Sequence, residues 1–561
     1  MNKYISIFFC VQIIALNLFA MQPKVTPVDY VRPQIDTHKS RWFFFSSASR
    51  PFGMVSLSPD TWTEGSWNSG YLYNSKEIRC FSHVHCWQLA GVPVMPTTGE
   101  VKGHKGMDAY KSTYSHETEI VKPGYHKVEL DTYQIRVELT STSRVGMHRY
   151  TYPAGEKANV LFDVGALLAH GKTEKAAIHR ISSKEIGGYS VLAPTSRRKK
   201  PVTVYFVARF NQNMTAFGGW EKEGKEKKLV HKNSIEGADI GGYASFGKLK
   251  KQTLLMKVGI SYVSEEQARI NLEKELAHWN FDRVKEDAFA EWNRELGKIT
   301  VEGGSEEEKI KFYTDLWHSL LGRHTFSDFN GKYIDNTGEE PVVRQVPLDN
   351  GTPTRNTYNS DAFWGSEFNL NILWSIAYPK VMSEFVSTLV DYYTNGGMIA
   401  RGPSGGNYTY VMVGDQATPL IAAAYNKGIR DFDIESAYQG CLKNSEPGGI
   451  RDYVGYKTNP GNFMQQYVDK GFVPEPTTKS PHAEGCAMTL YFAYEDWCMA
   501  QFAKGLEKED VYRKYLQRSF NYRYVYDKQS GWMRPRTTDG SWMRNFSPIG
   551  KGFNMPGFVE S

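Results

Sequence analysis

At Ser264 the hydrophobic period of the chain changes, and this change constrains the fold more than any other feature. Before it, apolar and polar residues alternate: Ile135, Val137 and Leu139, then Val202, Val204 and Phe206, then Met256, Val258 and Ile260. A period of two sends successive side chains to opposite faces of a strand. Turn-forming stretches, Lys122-Pro-Gly124, Tyr152-Pro-Ala-Gly155 and Phe217-Gly-Gly219, separate these runs, and no helix-length periodic segment interrupts them. The first half is therefore expected to be a β-sandwich. At Ser264, with Gln267 three residues on, a capping-box signature opens a charged helical stretch through Glu291 and Trp292. Ser305 and Glu308 repeat the signature before a helix with Ile310, Tyr313, Trp317 and Leu320 on one face.

From there the chain reads as helical to about residue 525. Leu370, Leu373, Trp374 and Ala377 form one stripe, Pro379 restarts the helix, and Val381, Phe385, Leu389 and Tyr392 continue it until Gly396-Gly397. Residues 418–427, 433–443, 485–505 and 508–524 read as further helices. Several are apolar nearly all round, which predicts one helical layer inside another, a toroid. The 561 residues exceed what one core holds. The expected division is a secretory signal at 1–20, a sandwich at 21–263, a helical linker at 264–298 and a helical domain at 299–561. Lys3, the apolar stretch from Ile5 to Phe19 and the small-residue site at Ala20 carry the signal and predict a periplasmic or extracellular protein. No later run approaches the ~20 apolar residues that span a bilayer.

Aromatic residues make up 14% of the chain, an excess that suits either a large aromatic core or a saccharide site, where rings stack on the apolar faces of sugars. A net charge of +6 without a dense basic block argues against nucleic acid, and the run Arg197-Arg198-Lys199-Lys200 reads as a solvated loop. Cys80, Cys86, Cys441, Cys486 and Cys498 are too sparse for a disulfide scaffold and are expected as buried thiols. A zinc site from Cys80, His83, His85 and Cys86 matches no common structural spacing.

Nucleotide-loop, nucleophile-elbow and zincin patterns are missing. What remains is carboxylates beside aromatics: Asp361-Ala-Phe-Trp364, Glu495-Asp496-Trp497, Asp539-Gly-Ser-Trp542 and Gly557-Phe-Val-Glu560. Glycoside hydrolysis needs two carboxyl groups, one protonated to assist the leaving oxygen and one ionised. An Asp or Glu beside a Trp is more often a cap or a structural hydrogen-bonding group. Long loops rich in Gly, Pro, Asn and Tyr, at 350–359, 401–408 and 532–558, are of a length that commonly carries function.

Together the motifs resemble glycoside hydrolase family 92, the exo-acting α-mannosidases. Tyr30-Val-Arg-Pro, Ile35-Asp-Thr-His-Lys-Ser, Arg50-Pro-Phe-Gly-Met-Val, Leu57-Ser-Pro-Asp-Thr and Phe81-Ser-His-Val-His85 resemble that family's opening. Asp361-Ala-Phe-Trp-Gly, Asn395-Gly-Gly, Tyr408-Thr-Tyr-Val-Met-Val-Gly-Asp415, Lys427-Gly-Ile-Arg-Asp-Phe-Asp433 and Gly557-Phe-Val-Glu560 follow in the family's order. The resemblance implies an N-terminal β-sandwich packed on an (α/α)6 barrel, with a calcium-dependent, inverting site between them that takes terminal mannose, α-1,2-linked by expectation, from glycans. It makes Glu560 the general acid. The family's general base and main calcium segment lie downstream of that motif, whereas this chain ends at Ser561. The expectation is an incomplete barrel that is inactive alone.

Two further departures stand out: Tyr491 where the family carries an acid, and Trp364-Gly-Ser366 where many members carry Trp-Asp-Thr. His83 and His85, two apart, would share a face on a strand and line the interdomain cleft with Trp87. Phe363 and Trp364 are candidate sugar platforms. Arg401 either clamps sugar hydroxyls or holds its loop through a carboxylate. The expected partner is a mannose-containing oligosaccharide. Two alternatives remain open: a non-catalytic carbohydrate-binding remnant, or another sandwich-plus-toroid glycosidase or phosphorylase.

Overall fold

The structure is a computed structural model that describes residues 25–38, 45–64, 69–86, 89–166, 168, 171–360, 365–455, 459–475, 484–544 and 546–548. The alternating runs of the first half pair into two antiparallel sheets. One has seven strands in the order Ser58–Asp60, Cys80–Ser82, Val94–Thr98, Lys157–Phe162, Gly241–Lys248, Ala216–Glu223 and Glu226–Val230. The other has nine, with Val202–Phe210, Thr253–Ser261 and Val145–Thr151 adjacent at its centre. Val137, Leu139, Val204, Phe206, Met256, Val258 and Ile260 are all buried in the core between the sheets. Phe162 of the smaller sheet stacks on Phe206 of the larger at 5.9 Å, and Phe210 meets Phe246 at 4.8 Å.

The nine-stranded sheet is covered on its other face too. Val145, Met147 and Val207 point outward and are buried by Ala268 and Leu272 of α1 (Glu265–Glu275) and by Phe281 and Val284 of α2 (Phe281–Leu296). The expected single charged helix is thus two. Asn280 breaks it by capping α2, its side chain accepting from the Arg283 N–H. Ser264 caps α1 by accepting from the Gln267 N–H, but only that half of the capping box forms, since Gln267 Oε1 is buried without a partner. The Ser305–Glu308 box at α3 (Glu306–Ser319) is complete.

Between α3 and α4 (Leu370–Ala377) the chain departs from the expected helix. Short strands occupy this stretch, among them Arg323–Thr325, Lys332–Asp335, Val342–Gln345 and Tyr358–Ser360. Gly331, Gly351 and the prolines punctuate it too densely for a helix to propagate. Helices then follow as α5 (Pro379–Gly396), α6 (Ala417–Asn426), α7 (Ile434–Asn444), α8 (Phe463–Lys470), α9 (Gly485–Gly505) and α10 (Glu509–Ser519). Pro379 sits in the first turn of α5 and Gly397, at φ 86°, ends it in the left-handed conformation. Their apolar faces form a second core containing Trp317, Trp374, Phe385 and Phe502, each 0–1% exposed. Much of the aromatic excess is therefore core.

The two parts dock through specific contacts. Phe52, with a left-handed backbone (φ 56°), inserts edge-on among Tyr358, Trp374 and Tyr378 of the helical part. Trp292 Nε1 donates to the Ser49 carbonyl at 2.9 Å, and Arg144 bridges Glu275 and the Ser327 carbonyl. The basic run Arg197–Lys200 corrects the expectation of a solvated loop. Arg198 is fully buried, pairs as a β-bridge with Thr409, and is followed in the same contact by Tyr410 N–H donating to the Arg197 carbonyl. Its guanidinium is spent on its own loop, donating to the carbonyls of Ala193 and Lys200.

Candidate functional site at the domain seam

The seam is built on the strand pair Arg323–Thr325 and Tyr358–Ser360, in register with His324 opposite Asn359. Directly opposed residues share a face. His324 Nδ1 donates to the Gly53 carbonyl at 3.0 Å, which leaves Nε2 as a bare acceptor. Burial lowers its pKa to about 4, so the ring is neutral. Asn359 Oδ1 accepts from the Gly405 N–H at 2.7 Å, and Ser360 N–H donates to the Pro403 carbonyl at 2.9 Å, which pins loop 401–407 against the pair. Among the described residues His324 Nε2 and Asn359 Nδ2, which share this face, are buried without hydrogen-bond partners, while Ser360, next along the strand, points to the opposite face. An acceptor and a donor on one face form the polar complement that a hydroxyl group or an ordered water requires. Asp361, Phe363 and Trp364 follow directly in the chain; they, Trp87 and Glu560 lie outside the described residues.

His83 and His85 are both buried, each in its own network. His83 Nδ1 faces the Val92 carbonyl at 2.7 Å and Nε2 lies 2.9 Å from His148 Nε2, between the sheets. His85 donates from Nε2 to Asp60 at 2.9 Å and from Nδ1 to the Ser56 carbonyl at 2.6 Å. Burial pushes the His85 pKa down, but Asp60 outweighs it and the net shift is upward, fitting a ring with acceptors at both nitrogens. Arg401 is 3% exposed, and its guanidinium donates to five backbone carbonyls, those of Val411, Met412, Gly414, Ile450 and Tyr453. It shapes the loop that leads from Pro403 to Asp415 through main chain, and among the described residues it makes no hydrogen bond to a carboxylate.

That loop ends on a buried ionic cluster. The Asp415 N–H donates to Glu495 Oε1, and Asp415 in turn accepts from Thr418 Oγ1 in the first turn of α6. Arg451 Nη1 donates to Asp496 Oδ1 at 2.7 Å, and Arg518 donates to both Asp496 oxygens at 2.6 and 2.7 Å. Arg451 Nε lies 3.0 Å from Glu495 Oε2 in a geometry too bent for a hydrogen bond, so that contact is Coulombic. Burial raises the Glu495 carboxyl to about 8 despite Arg451. The sequence singles out Asp415, Glu495 and Asp496 separately, and the fold brings them together.

The sequence model of the glycosyl hydrolase family 92 catalytic domain matches residues 267–561, and that of its N-terminal domain matches 30–261. The chain belongs to glycosyl hydrolase family 92. A family 92 alpha-mannosidase from Bacteroides thetaiotaomicron is 27% identical, with a TM-score of 0.82 over 94% of this chain and 69% of that one. A family 92 inverting mannosidase from the same organism is 25% identical, with a TM-score of 0.81 over 94% of this chain and 69% of that one. An uncharacterized secreted glycosidase from Arthroderma benhamiae is 23% identical over 553 residues, 89% of this chain and 64% of that protein. This family 92 chain thus spans about two thirds of its relatives' length.

Family membership directs attention to calcium. Among the described residues no group of three or more His, Cys, Asp or Glu side chains is placed to hold a metal ion, so no chemical step is derived through one. Cys80, in the zinc candidate, donates to Asp60 instead, and all five described cysteines are buried thiols outside any disulfide. Tyr491, at the family's acid position, is half-buried against the cluster of Met464, Tyr467 and Phe492. Sequence reasoning passes over His324, His148, Arg451 and Arg518. Isolated basic residues carry no spacing signal, and only the tertiary pairing reveals them.

Proposed function

We propose that the protein is a glycoside hydrolase that removes terminal α-linked mannose, by expectation α-1,2-linked, from glycans with inversion at the anomeric carbon. The similarity to a Bacteroides thetaiotaomicron alpha-mannosidase over 94% of this chain carries this reading. That enzyme is also known in complex with mannoimidazole, at 27% identity to this chain and a TM-score of 0.81. In this reading Glu560 protonates the leaving oxygen, and a second carboxylate about 6.5–9.5 Å away, which the family resemblance puts downstream of Ser561, activates water. Phe363, Trp364 and Trp87 offer faces to the sugar, while His324 and Asn359 take hydroxyls at the seam. Calcium, implied by the family resemblance with its main segment downstream of Ser561, belongs to the same proposal, as does export through residues 1–20. No described helix is long and apolar enough to cross a membrane.

Mannobiose followed by proton NMR, with a chain that carries the family's downstream segment, tests the reading. The first product expected is β-mannose, which mutarotates later; α-mannose appearing first would overturn inversion. Calorimetry with mannoimidazole tests the sugar site without turnover, and no heat at millimolar ligand would sink the mannoside reading. Tyr491, at a position where the family carries an acid, favours a second reading as a carbohydrate binder without hydrolysis. Mannoimidazole binding with no mannose release, calcium present, would select it.

A further inference from the structure

α9 carries Tyr494, Trp497, Gln501 and Lys504 at steps of three and four, so they share one face of the helix. Tyr494 is 40% and Trp497 48% exposed, although Met499 and Phe502 on the other faces are buried, and Cys498 closes the groove floor between the two rings. α6 packs alongside and presents small residues, Ala422 and Ala423, with Asn426 one turn on. Large rings opposite alanines leave an open groove between the two helices.

We propose that this groove between α6 and α9 is a saccharide-binding site. A pyranose presents an apolar face to a ring and hydroxyls at its edge. Trp497 and Tyr494 supply the rings, and Asn426 and Gln501 supply amides along the rim. The exposed cations Lys427 and Lys504 flank the groove. A two-fold contact would bring the same patch of a second copy against this one, like charges included, whereas a neutral polyol meets no such repulsion. The identity of the sugar as an α-mannoside oligomer rests on the proposed function; the site itself rests on the groove.

The test is calorimetric titration of the whole chain with an α-mannotetraose, with and without saturating mannoimidazole. Binding should persist beside mannoimidazole. Trp497→Ala should weaken it about tenfold, Trp497→Phe should restore most of it, and mannoimidazole affinity should stay unchanged. Trp497 is half exposed, so the substitution leaves folding intact, as thermal unfolding would verify. Tetraose binding that ignores Trp497→Ala, or that mannoimidazole abolishes, overturns the groove site. Tetraose binding sensitive to Trp497 with no mannoimidazole binding overturns the mannosidase reading and leaves the groove standing. In sedimentation velocity, a dimer dispersed by Trp497→Glu would overturn the proposal in favour of a second copy, because Phe368, Ile372 and Ile376 of the adjoining segment are also exposed.

Discussion

Two buried networks, one in each half of the molecule, hold their polar groups in opposite ways. In the sandwich, His83, His148 and Tyr150 are all fully buried and form a single file ending on the Val92 carbonyl. That carbonyl fixes the direction of every bond: His83 Nδ1–H donates to it, so His83 Nε2 accepts from His148 Nε2–H, and His148 Nδ1 accepts from the Tyr150 hydroxyl. The chain is neutral and complete. In the helical half, Arg451, Asp496 and Arg518 are buried as charges, with Ser445 at the end of α7 supplying a hydroxyl to one guanidinium and a carbonyl to the other. Helix ends offer spare carbonyls that paired strands do not. A sheet interior can therefore hold polar groups in neutral file, whereas helix termini can neutralise buried cations.

If this contrast is right, Asp496→Asn does the most damage. It leaves two buried guanidinium groups without their carboxylate and should cost about 3–5 kcal/mol in urea unfolding; a loss under about 1 kcal/mol would break the comparison. His148→Ala comes next, at about 2–3 kcal/mol, since it opens a cavity and strands His83 Nε2 and the Tyr150 hydroxyl. Its cost should depend on pH. Burial, then His83, holds the His148 pKa well below its ordinary value, and burial holds His83 at about 4. Depressed histidines stabilise the fold above the unfolded pKa of ~6.5 and lose that contribution as pH falls toward the folded value. The deficit of His148→Ala should therefore shrink from pH 6.5 to 4. Tyr150→Phe removes one donor for about 1 kcal/mol. Nitrogen-15 shifts should still show His148 protonated at Nε2, because Val92 sets the direction; a swap of tautomer would assign that role to Tyr150.

Sequence legibility followed the same divide. Period-two runs such as Val202, Val204 and Phe206 named the core face of the larger sheet, because each side chain there is decided by its own strand. Ser305, Pro379 and Gly397 located helix ends by local backbone chemistry, which also needs no distant partner. The strands at 323–360 were missed since they are too short for a period to register, and α8 for the same reason. The seam was the least legible part. His324 acquires its bare nitrogen from a carbonyl 271 positions away in sequence, and nothing near either residue announces the pairing. Arg198 looked solvated because a run of four cations is usually a surface, and only the bridge to Thr409 shows otherwise.

Glu495→Gln is the smallest change and the sharpest probe, because Glu495 sits beside Asp496 in the same cluster yet behaves as the neutral kind. With its pKa raised to about 8 by burial, it is mostly protonated at neutral pH. A glutamine can keep the acceptor for the Asp415 N–H, so at pH 5 the variant should lie within about 1 kcal/mol of wild type. The dependence above that pH decides the matter. A raised folded pKa gives stability that is complete below the unfolded value of ~4.3 and lost as pH rises through the folded value, whereas glutamine does not titrate. Relative to wild type, Glu495→Gln should gain stability between pH 5 and pH 8. A variant that instead loses ground as pH rises would mean that Glu495 is ionised against Arg451. The helical cluster would then carry its charge on both carboxylates.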